Sequence, residues 1–494
     1  MSSPDLEDMV RTHDSDAGLQ RNLSNRHIQL IAIGGAIGTG LFMGSGRTIA
    51  LAGPSVLLVY LIIGCALFFV MRAMGEVLLS NLSYATFSEF VEDILGPDMG
   101  FFIGWIYWLC WIVTGTAEII TIVGYIHFWW PDVPSWIPAV ITIVFLFTLN
   151  ALTVKAFGEV EFWFSMIKIV AIIALVVIGV VMVLTHFTSP DGTVASVAHL
   201  WDRGGFFPNG FSGFAGGFQI AIFAFVGIEL VGTTAAETAN PKKSLPKAIN
   251  SIPIRVLLFY ICALAAIMMV TPWDKVDPES SPFVTMFSLA GLVAAASVVN
   301  VIVLTSAASS CNSGIYSTSR MMFSLARNGA APQLFHKLSK RQVPRNALVL
   351  TCIFLASSIV LMAVGGSVMQ AFTLVTTVAS VLFMVVWLSI IVAYLRYRRV
   401  RPQLHESSTF TMPGGHIAAY LVIVFIAVML VAMWGEADTR AAMIATFVFL
   451  IALGVVLLVH RRRPEHAERL VAYRAQCQQE REAAAQWRAE HARH

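Results

Sequence analysis

Residues 28–46 read IQLIAIGGAIGTGLFMGSG, an apolar run that is long enough to cross a bilayer and contains six glycines. Each glycine in a helix interior costs about 1 kcal/mol relative to alanine. Gly38, Thr39 and Gly40 lie close to the middle of the run, and unwound backbone in a bilayer is tolerated only where it faces protein or a cavity. We therefore predict a spanning helix that is broken at these three residues.

The composition of the chain is that of a membrane protein. Of its 494 residues, 57% are hydrophobic and 12% are charged, whereas soluble globular chains carry about 25% charged residues. The net charge of +3 is too small to indicate binding to nucleic acid. The six cysteines form no C-x-x-C pair, so we interpret them as small buried residues and expect no metal site.

Apolar runs of about 20 residues predict an all-α protein with twelve transmembrane helices. The predicted spans are 28–46, 54–79, 100–128, 136–154, 160–185, 212–236, 252–271, 283–323, 347–364, 370–395, 417–434 and 440–460. The segment after them is rich in arginine, glutamate, alanine and glutamine, and we expect it to form a solvated helix.

The positively charged residues fall mainly on one side of the predicted spans. If the N-terminus is cytoplasmic, the outside segments hold only four lysines and arginines, namely Arg47, Arg203, Lys275 and Arg440. Positively charged loops face the cytoplasm in membrane proteins. We therefore expect a multi-pass protein of the cytoplasmic membrane with both termini in the cytoplasm.

A second glycine interrupts the sixth predicted span, which contains FAFVGIELVGTTAAE at residues 223–237. Gly227 lies there between two β-branched residues, and Glu229 follows it at membrane depth. The two breaks are five spans apart. Glycine-interrupted spans at corresponding positions are typical of transporters in which two halves form an inverted repeat around a midplane site.

The ends of two broken helices are suited to a zwitterion. A half-helix that starts near Leu41 offers free N–H groups and the positive end of its dipole, which favour a carboxylate. Thr39 can add a hydroxyl donor. Half-helices that end near Ala36 and Phe225 offer free carbonyl groups, which accept an ammonium group. The breaks therefore predict a site for a small α-amino acid.

Ionisable residues inside spans are expensive and usually functional. Glu229, beside the second break, is the best candidate carboxylate for proton coupling or for holding the broken segment. Glu118, which shares one helix face with Tyr107 and Trp111, is the weaker candidate. Lys168 lies in the middle of span five. It could replace a coupling sodium ion as a fixed cation and exchange a proton, or it could form a structural salt bridge to one of these two glutamates. The sequence leaves both interpretations open.

Hydroxyl side chains cluster in spans eight and ten. Such clusters either satisfy their own helix backbone or line a polar path. Their density favours the path, and we expect Ser309 and Ser313, which are one turn apart, to face Lys168 and span one.

Four stretches are similar to the amino acid transporter branch of the amino acid–polyamine–organocation superfamily. They are RNLSNRHIQLIAIGGAIGTGLFMGSG, FAFVGIELVGTTAAET, NPKKSLPKAINSIP and SAASSCNSGIYSTSRMMFSLA. The resemblance covers roughly residues 21–460. It implies the inverted five-plus-five repeat of the leucine-transporter-type fold with two additional helices. The implied order is a cytoplasmic segment (1–26), the first repeat (27–185), an extracytoplasmic loop (186–211), the second repeat (212–400), two further helices (401–460) and a cytoplasmic tail (461–494).

The resemblance also implies site residues. Gly38, Thr39 and Gly40 would form the carboxylate motif, and Phe223 would be an aromatic gate. Lys168 would occupy a sodium-like position beside Ser309 or Ser310.

The activity that the resemblance implies is proton-coupled uptake of small neutral amino acids. The substrates would be glycine, D-serine and D-alanine, with L-alanine and D-cycloserine as further candidates, and no cofactor besides the proton. Within that branch, the stretches RAMGEVLLSNL, MIKIVAI and FVGIELVGTTAAET resemble those of transporters for these small substrates. An exchanger or facilitator for other amino acids, such as GABA, proline or aromatic amino acids, is the alternative. No H-E-x-x-H or C-x-x-C pattern indicates an enzyme, and the oligomeric state stays open.

Overall fold

The computed structural model describes residues 36–84, 86–152, 154–232, 240–289, 293–364, 368–435 and 437–491. Within these ranges the regular structure is helical, and the β-pairing is an isolated bridge between Thr188 and Val194. The prediction of an all-α protein is therefore confirmed. The first part of span one, which contains Gly34 and Gly35, lies outside the described residues.

The helices follow the predicted apolar runs closely. They are α1 (Thr39–Phe42), α2 (Gly44–Ala52), α3 (Val56–Ser80), α4 (Phe87–Leu95), α5 (Pro97–Ile126), α6 (Trp136–Asn150), α7 (Val154–Leu184), α8 (Gly210–Phe223), α9 (Pro241–Val270), α10 (Pro282–Leu289), α11 (Val293–Arg327), α12 (Arg345–Leu355), α13 (Ser357–Val364), α14 (Val368–Val400), α15 (Pro402–Glu406), α16 (Gly415–Gly435), α17 (Ala437–His460) and α18 (Pro464–His491). Short 3-10 turns include Gly53–Ser55 and Ile228–Gly232.

Ten helical stretches among the described residues are long and apolar enough to cross a membrane. Trp136–Asn150 is a further apolar helix of shorter length. The predicted total of twelve spans and their inverted repeat stay predictions, since part of span one lies outside the described ranges. At the end of α2, Gly53 has φ +58, and a Cβ there would stand 2.4 Å from Cγ of Pro208. Glycine is thus required at the turn between α2 and α3.

The outer helices present apolar side chains to their surroundings. On α16 and α17, residues such as Val424, Val431, Ile451 and Val455 are more than half exposed, and Trp163 on α7 is 65% exposed. A contiguous apolar surface of this kind is stable only when lipid covers it. The protein is therefore a multi-pass membrane protein.

The inner helices surround the two predicted breaks. Helix α5 packs against α11 and α14, α3 packs against α9, and α2 packs against α8. Helix α7 contacts both α9 and α11. Consequently α1, α5, α7, α8 and α11 meet near the centre of the bundle, where the ionisable residues of the spans lie.

The C-terminal helix α18 is docked against the rest of the chain, whereas the sequence predicted a solvated helix. Arg401 contacts Glu480 of α18 at 2.6 Å and Asp93 of α4 at 2.8 Å. The Tyr473 hydroxyl donates to the carbonyl of Ile94 at 2.8 Å. The prediction of a helix is correct, but one face of it is buried, because its partners come from segments far away in sequence.

Arg401→Gln is expected to loosen α18. The substitution leaves Asp93 and Glu480, which is only 6% exposed, without the guanidinium that bridges them. Losing one partner of such a partly buried cluster costs about 2 kcal/mol. Protection of the α18 amides from hydrogen exchange should fall at least about tenfold. Arg474→Gln, an exposed position on the same helix, is the control, and equal protection in both variants would contradict the docking.

The docked state should also tolerate mild acid. Burial would raise the pKa of Asp93, but Arg401 beside it, together with hydrogen bonds from Tyr84 and Gln476, lowers that pKa below its ordinary value. A carboxylate with a lowered pKa contributes stability above its unfolded value of about 4, and this contribution is lost as the pH falls through the folded value. Protection of α18 at about pH 5 should therefore equal that at neutral pH.

Candidate functional site

The first break lies just before α1. Ile37 and Gly38 leave the helical conformation, with Gly38 at φ −121 and ψ −157, and the helix restarts at Thr39. Thr39 and Gly40 are thus the first residues of the new helix. The first N–H groups of a helix have no partner within it, so this end can receive an anion.

Glycine is needed at both positions because other groups approach the backbone closely. A Cβ on Gly38 would stand 2.6 Å from Oε1 of Glu118 and 2.9 Å from Oγ of Ser310. A Cβ on Gly40 would stand 2.6 Å from Cα of Ala224. Since that last contact is backbone, the two broken helices meet directly at Gly40. The Glu118 carboxylate also faces the backbone N–H of Thr39, at the start of α1.

The second break follows α8, which ends at Phe223, and helical turns resume at Ile228. Gly227 has φ +99, a left-handed conformation that favours glycine. Its N–H donates to Oε2 of Glu229 at 3.2 Å, and the Tyr107 hydroxyl donates to Oε1 at 3.3 Å. Glu229 therefore holds the second break and connects it to α5.

Tyr260 of α9 links the two breaks, although no sequence motif marks this residue. Its hydroxyl lies 2.9 Å from the carbonyl of Ala36 and 2.5 Å from the carbonyl of Ala224. The hydroxyl has one proton, so it donates to one carbonyl at a time. The carbonyl of Ala36, which was predicted to be free for an ammonium group, has this partner in the structure.

Lys168 of α7 lies at the first break. Its Nζ donates to the carbonyl of Ile37 at 2.9 Å, and the Ser306 hydroxyl donates to the same carbonyl at 3.0 Å. Glu161 and Glu118 are the carboxylates that interact electrostatically with this ammonium group. The lysine therefore stabilises the carbonyl end of the break, as a bound cation would.

Glu161 is a further buried carboxylate that the sequence analysis missed. Ser309 donates to its Oε1, and Asn312 donates to its Oε2 at 3.1 Å. Ser309, which was expected to face Lys168, thus contacts Glu161 in the structure. The sequence does indicate this carboxylate, because Glu161 precedes Lys168 by seven residues and therefore lies on the same face of the helix.

Aromatic side chains surround the breaks. The ring of Trp111 lies against Gly314, where a Cβ would stand 2.4 Å from Cε3, and its centroid is 5.7 Å from that of Phe383. Phe223 makes an edge contact with Phe372 at 5.9 Å. These rings pack closely against the helices around the breaks.

Three predicted site residues have buried polar groups that make no hydrogen bond of regular geometry to the described residues. They are the hydroxyls of Thr39 and Ser313 and the indole N–H of Trp111. Each of them nevertheless faces another polar group: Thr39 faces the carboxylate of Glu118, Ser313 faces that of Glu161, and the Trp111 indole faces the Tyr107 hydroxyl. The three groups therefore belong to one polar network around the breaks.

The predicted residues converge on the two breaks, although they come from five helices and two unwound segments. They are Ala36, Gly38, Thr39, Gly40, Tyr107, Trp111, Glu118, Lys168, Phe223, Gly227, Glu229, Ser309 and Ser313. The non-glycine residues among them are at most 3% exposed. Their side chains are therefore shielded from solvent in this structure.

Comparison with known proteins agrees with this arrangement. A model of the amino acid permease family matches residues 27–469. The D-serine/D-alanine/glycine transporter of Escherichia coli is 60% identical over 441 residues, which are 89% of this chain and 94% of that protein. The amino-acid permease AapA of Bacillus subtilis is 48% identical over 448 residues, covering 90% and 96%. The DL-alanine permease SerP2 of Lactococcus lactis is 43% identical over 438 residues, covering 88% and 94%. The family and these relatives are permeases and transporters, not enzymes, and the resemblance seen in the sequence is confirmed: the chain belongs to the amino acid permease family.

Proposed function

We propose that the protein is a proton-coupled symporter that carries glycine, D-serine and D-alanine across the cytoplasmic membrane, with L-alanine and D-cycloserine as further substrates. It works by alternating access within a twelve-helix inverted-repeat fold, with both termini in the cytoplasm. The observation that carries the proposal is the direct backbone contact of the two broken helices at Gly40 and Ala224. The names of the relatives support glycine, D-serine and alanine as substrates.

The carboxylate of the substrate binds at the start of α1. The N–H groups of Thr39 and Gly40 are the first of this helix, and the Thr39 hydroxyl, which faces the Glu118 carboxylate, is a further donor. The ammonium group binds near carbonyl groups of the second break. Trp111 and Phe223 limit the space around the α-carbon to a small side chain, which favours glycine, serine and alanine over aromatic amino acids.

The buried charged side chains of the site provide a place for the coupling proton. Lys168 is one cation among three carboxylates, those of Glu118, Glu161 and Glu229, and each of the four residues is at most 1% exposed. Full ionisation would leave uncompensated negative charge at low dielectric, which is costly. Protonation of a carboxylate reduces this cost, so the site favours proton uptake.

Glu118 is suited to couple the proton to the substrate. Its carboxylate lies at the start of α1, where the substrate carboxylate also binds. Two anions cannot share one helix end, because like charges at this distance repel strongly at low dielectric. Protonation of Glu118 therefore favours substrate entry, and departure of the substrate favours release of the proton.

Uptake into proteoliposomes tests this function. Glycine should accumulate above its outside concentration only when an inward proton gradient is imposed, and a protonophore should abolish accumulation. Unlabelled D-serine, D-alanine and L-alanine should compete, whereas GABA, proline and phenylalanine should not. Uptake that ignores the gradient would show a facilitator or exchanger. Preferential competition by one of the last three would overturn the substrate assignment.

A further inference from the structure

A cavity of about 520 Å³ lies at the arginine-rich end of the bundle, away from the site above. The end of α14, the start of α16 and the docked helix α18 enclose it. Among the described residues, five basic side chains and no carboxylate line it, and the basic ones are Arg396, Arg399, Arg481, Arg488 and His416.

Nearby contacts position these arginines without neutralising them. Arg488 donates to the backbone carbonyl of Arg399 at 2.6 Å, and Arg396 donates to Sγ of Cys477 at 3.0 Å. Neither acceptor carries a full negative charge. Four guanidinium groups around one space repel each other, and an anion between them relieves this repulsion. Guanidinium groups bind phosphate oxygens in a bidentate manner, so phosphate is the anion chemistry that fits best.

An apolar wall adjoins the basic residues on the same two helices, with Val392 one turn before Arg396 and Tyr420 one turn after His416. Val392 of α14 is 39% exposed and Tyr420 of α16 is 58% exposed, and Leu421 beside it is 64% exposed. Tyrosine is enriched at the level of lipid head groups. A free phosphate ion would gain nothing from this wall, whereas the glycerol and acyl chains of a phospholipid would cover it.

We propose that this cavity binds the phosphate head group of an anionic phospholipid, such as phosphatidylglycerol, and that the lipid ties α18 to the membrane. The proposal rests on the proposed orientation, which places this end at the cytoplasmic leaflet. Basic pockets between helices on that side are known binding sites for anionic lipid head groups. Because α18 supplies two of the arginines, lipid binding and docking of the helix stabilise each other.

The test uses the full-length protein in detergent, with bound phospholipid measured by native mass spectrometry. The variant Arg399→Gln/Arg481→Gln removes one charge from each side of the cavity, and it leaves the bond from Arg488 to the carbonyl of residue 399 in place. The control is Arg462→Gln/Arg474→Gln, which removes the same charge from exposed positions outside the cavity. The probes are phosphatidylglycerol, phosphatidylethanolamine and inorganic phosphate.

Wild type and control should bind phosphatidylglycerol in preference to phosphatidylethanolamine. The cavity variant should bind phosphatidylglycerol at least about tenfold more weakly. Equal binding by the cavity variant and the control would overturn the site. Displacement of the lipid by inorganic phosphate at equal concentration would show a phosphate-ion site and overturn the lipid assignment. The readout needs no transport, so failure of the proposed symport would not affect it.

Discussion

Gly40→Ala is expected to reduce glycine uptake roughly 10- to 100-fold. The added methyl carbon would stand 2.6 Å from Cα and 2.8 Å from N of Ala224, and 3.0 Å from the ring of Phe223. The nearest atoms are backbone, so no side-chain rotation can relieve the clash. Overpacking of this kind costs about 1–3 kcal/mol, and here it separates the two broken helices that form the site.

A matched control distinguishes the clash from a general effect of replacing glycine in a membrane helix. Gly454 on α17 has no heavy atom within 4 Å of its Cβ position, so Gly454→Ala should transport like wild type. Both variants should reach the membrane at comparable levels, as measured by quantitative immunoblotting. Wild-type glycine uptake by Gly40→Ala would contradict the contact on which the site is built.

Lys168→Met should abolish proton-driven accumulation, with a loss of about 100- to 1,000-fold. Methionine keeps much of the length of lysine but lacks the ammonium group that donates to the carbonyl of Ile37. Glu161 and Glu118 would then be buried without their counter-charge. Removing one member of a buried charge cluster costs about 3–5 kcal/mol. Accumulation in proteoliposomes under an imposed pH gradient is the measurement.

Two further variants separate charge from hydrogen bonding. Ser306→Ala removes the second donor to the carbonyl of Ile37 but no charge, so it should weaken accumulation much less. Lys168→Met/Glu161→Gln removes both charges of a pair. It should regain thermal stability relative to Lys168→Met without regaining accumulation. If Lys168→Met accumulates glycine like wild type, the lysine has no role in coupling.

Local patterns were sufficient to predict both breaks. Glycines in the middle of apolar runs identified Gly38 and Gly227, and a carboxylate at membrane depth identified Glu229. In the structure the unwound residues of the first break are Ile37 and Gly38, slightly before the predicted centre. Thr39 already belongs to the new helix, because the N–H groups of Leu41 and Phe42 donate to the carbonyl of Gly38 just before it.

Contacts between distant helices were beyond the reach of the sequence. Tyr260 is one aromatic residue in an apolar span, and its role depends on α9 lying against both breaks. Likewise, the docking of α18 depends on an ion pair between Asp93 and Arg401, two residues that are far apart in the sequence. Glu161 differs from Tyr260, Asp93 and Arg401, because its seven-residue spacing from Lys168 can be read directly from the sequence.

The central claim is that the start of α1 binds the carboxylate of the substrate, and displacement of bound radiolabelled glycine from purified protein tests it directly. Unlabelled glycine and glycinamide are the competitors, because glycinamide keeps the amine but lacks the carboxylate. We predict that glycine displaces the label and that glycinamide at the same concentration does not. Equal displacement by the two compounds would contradict the account.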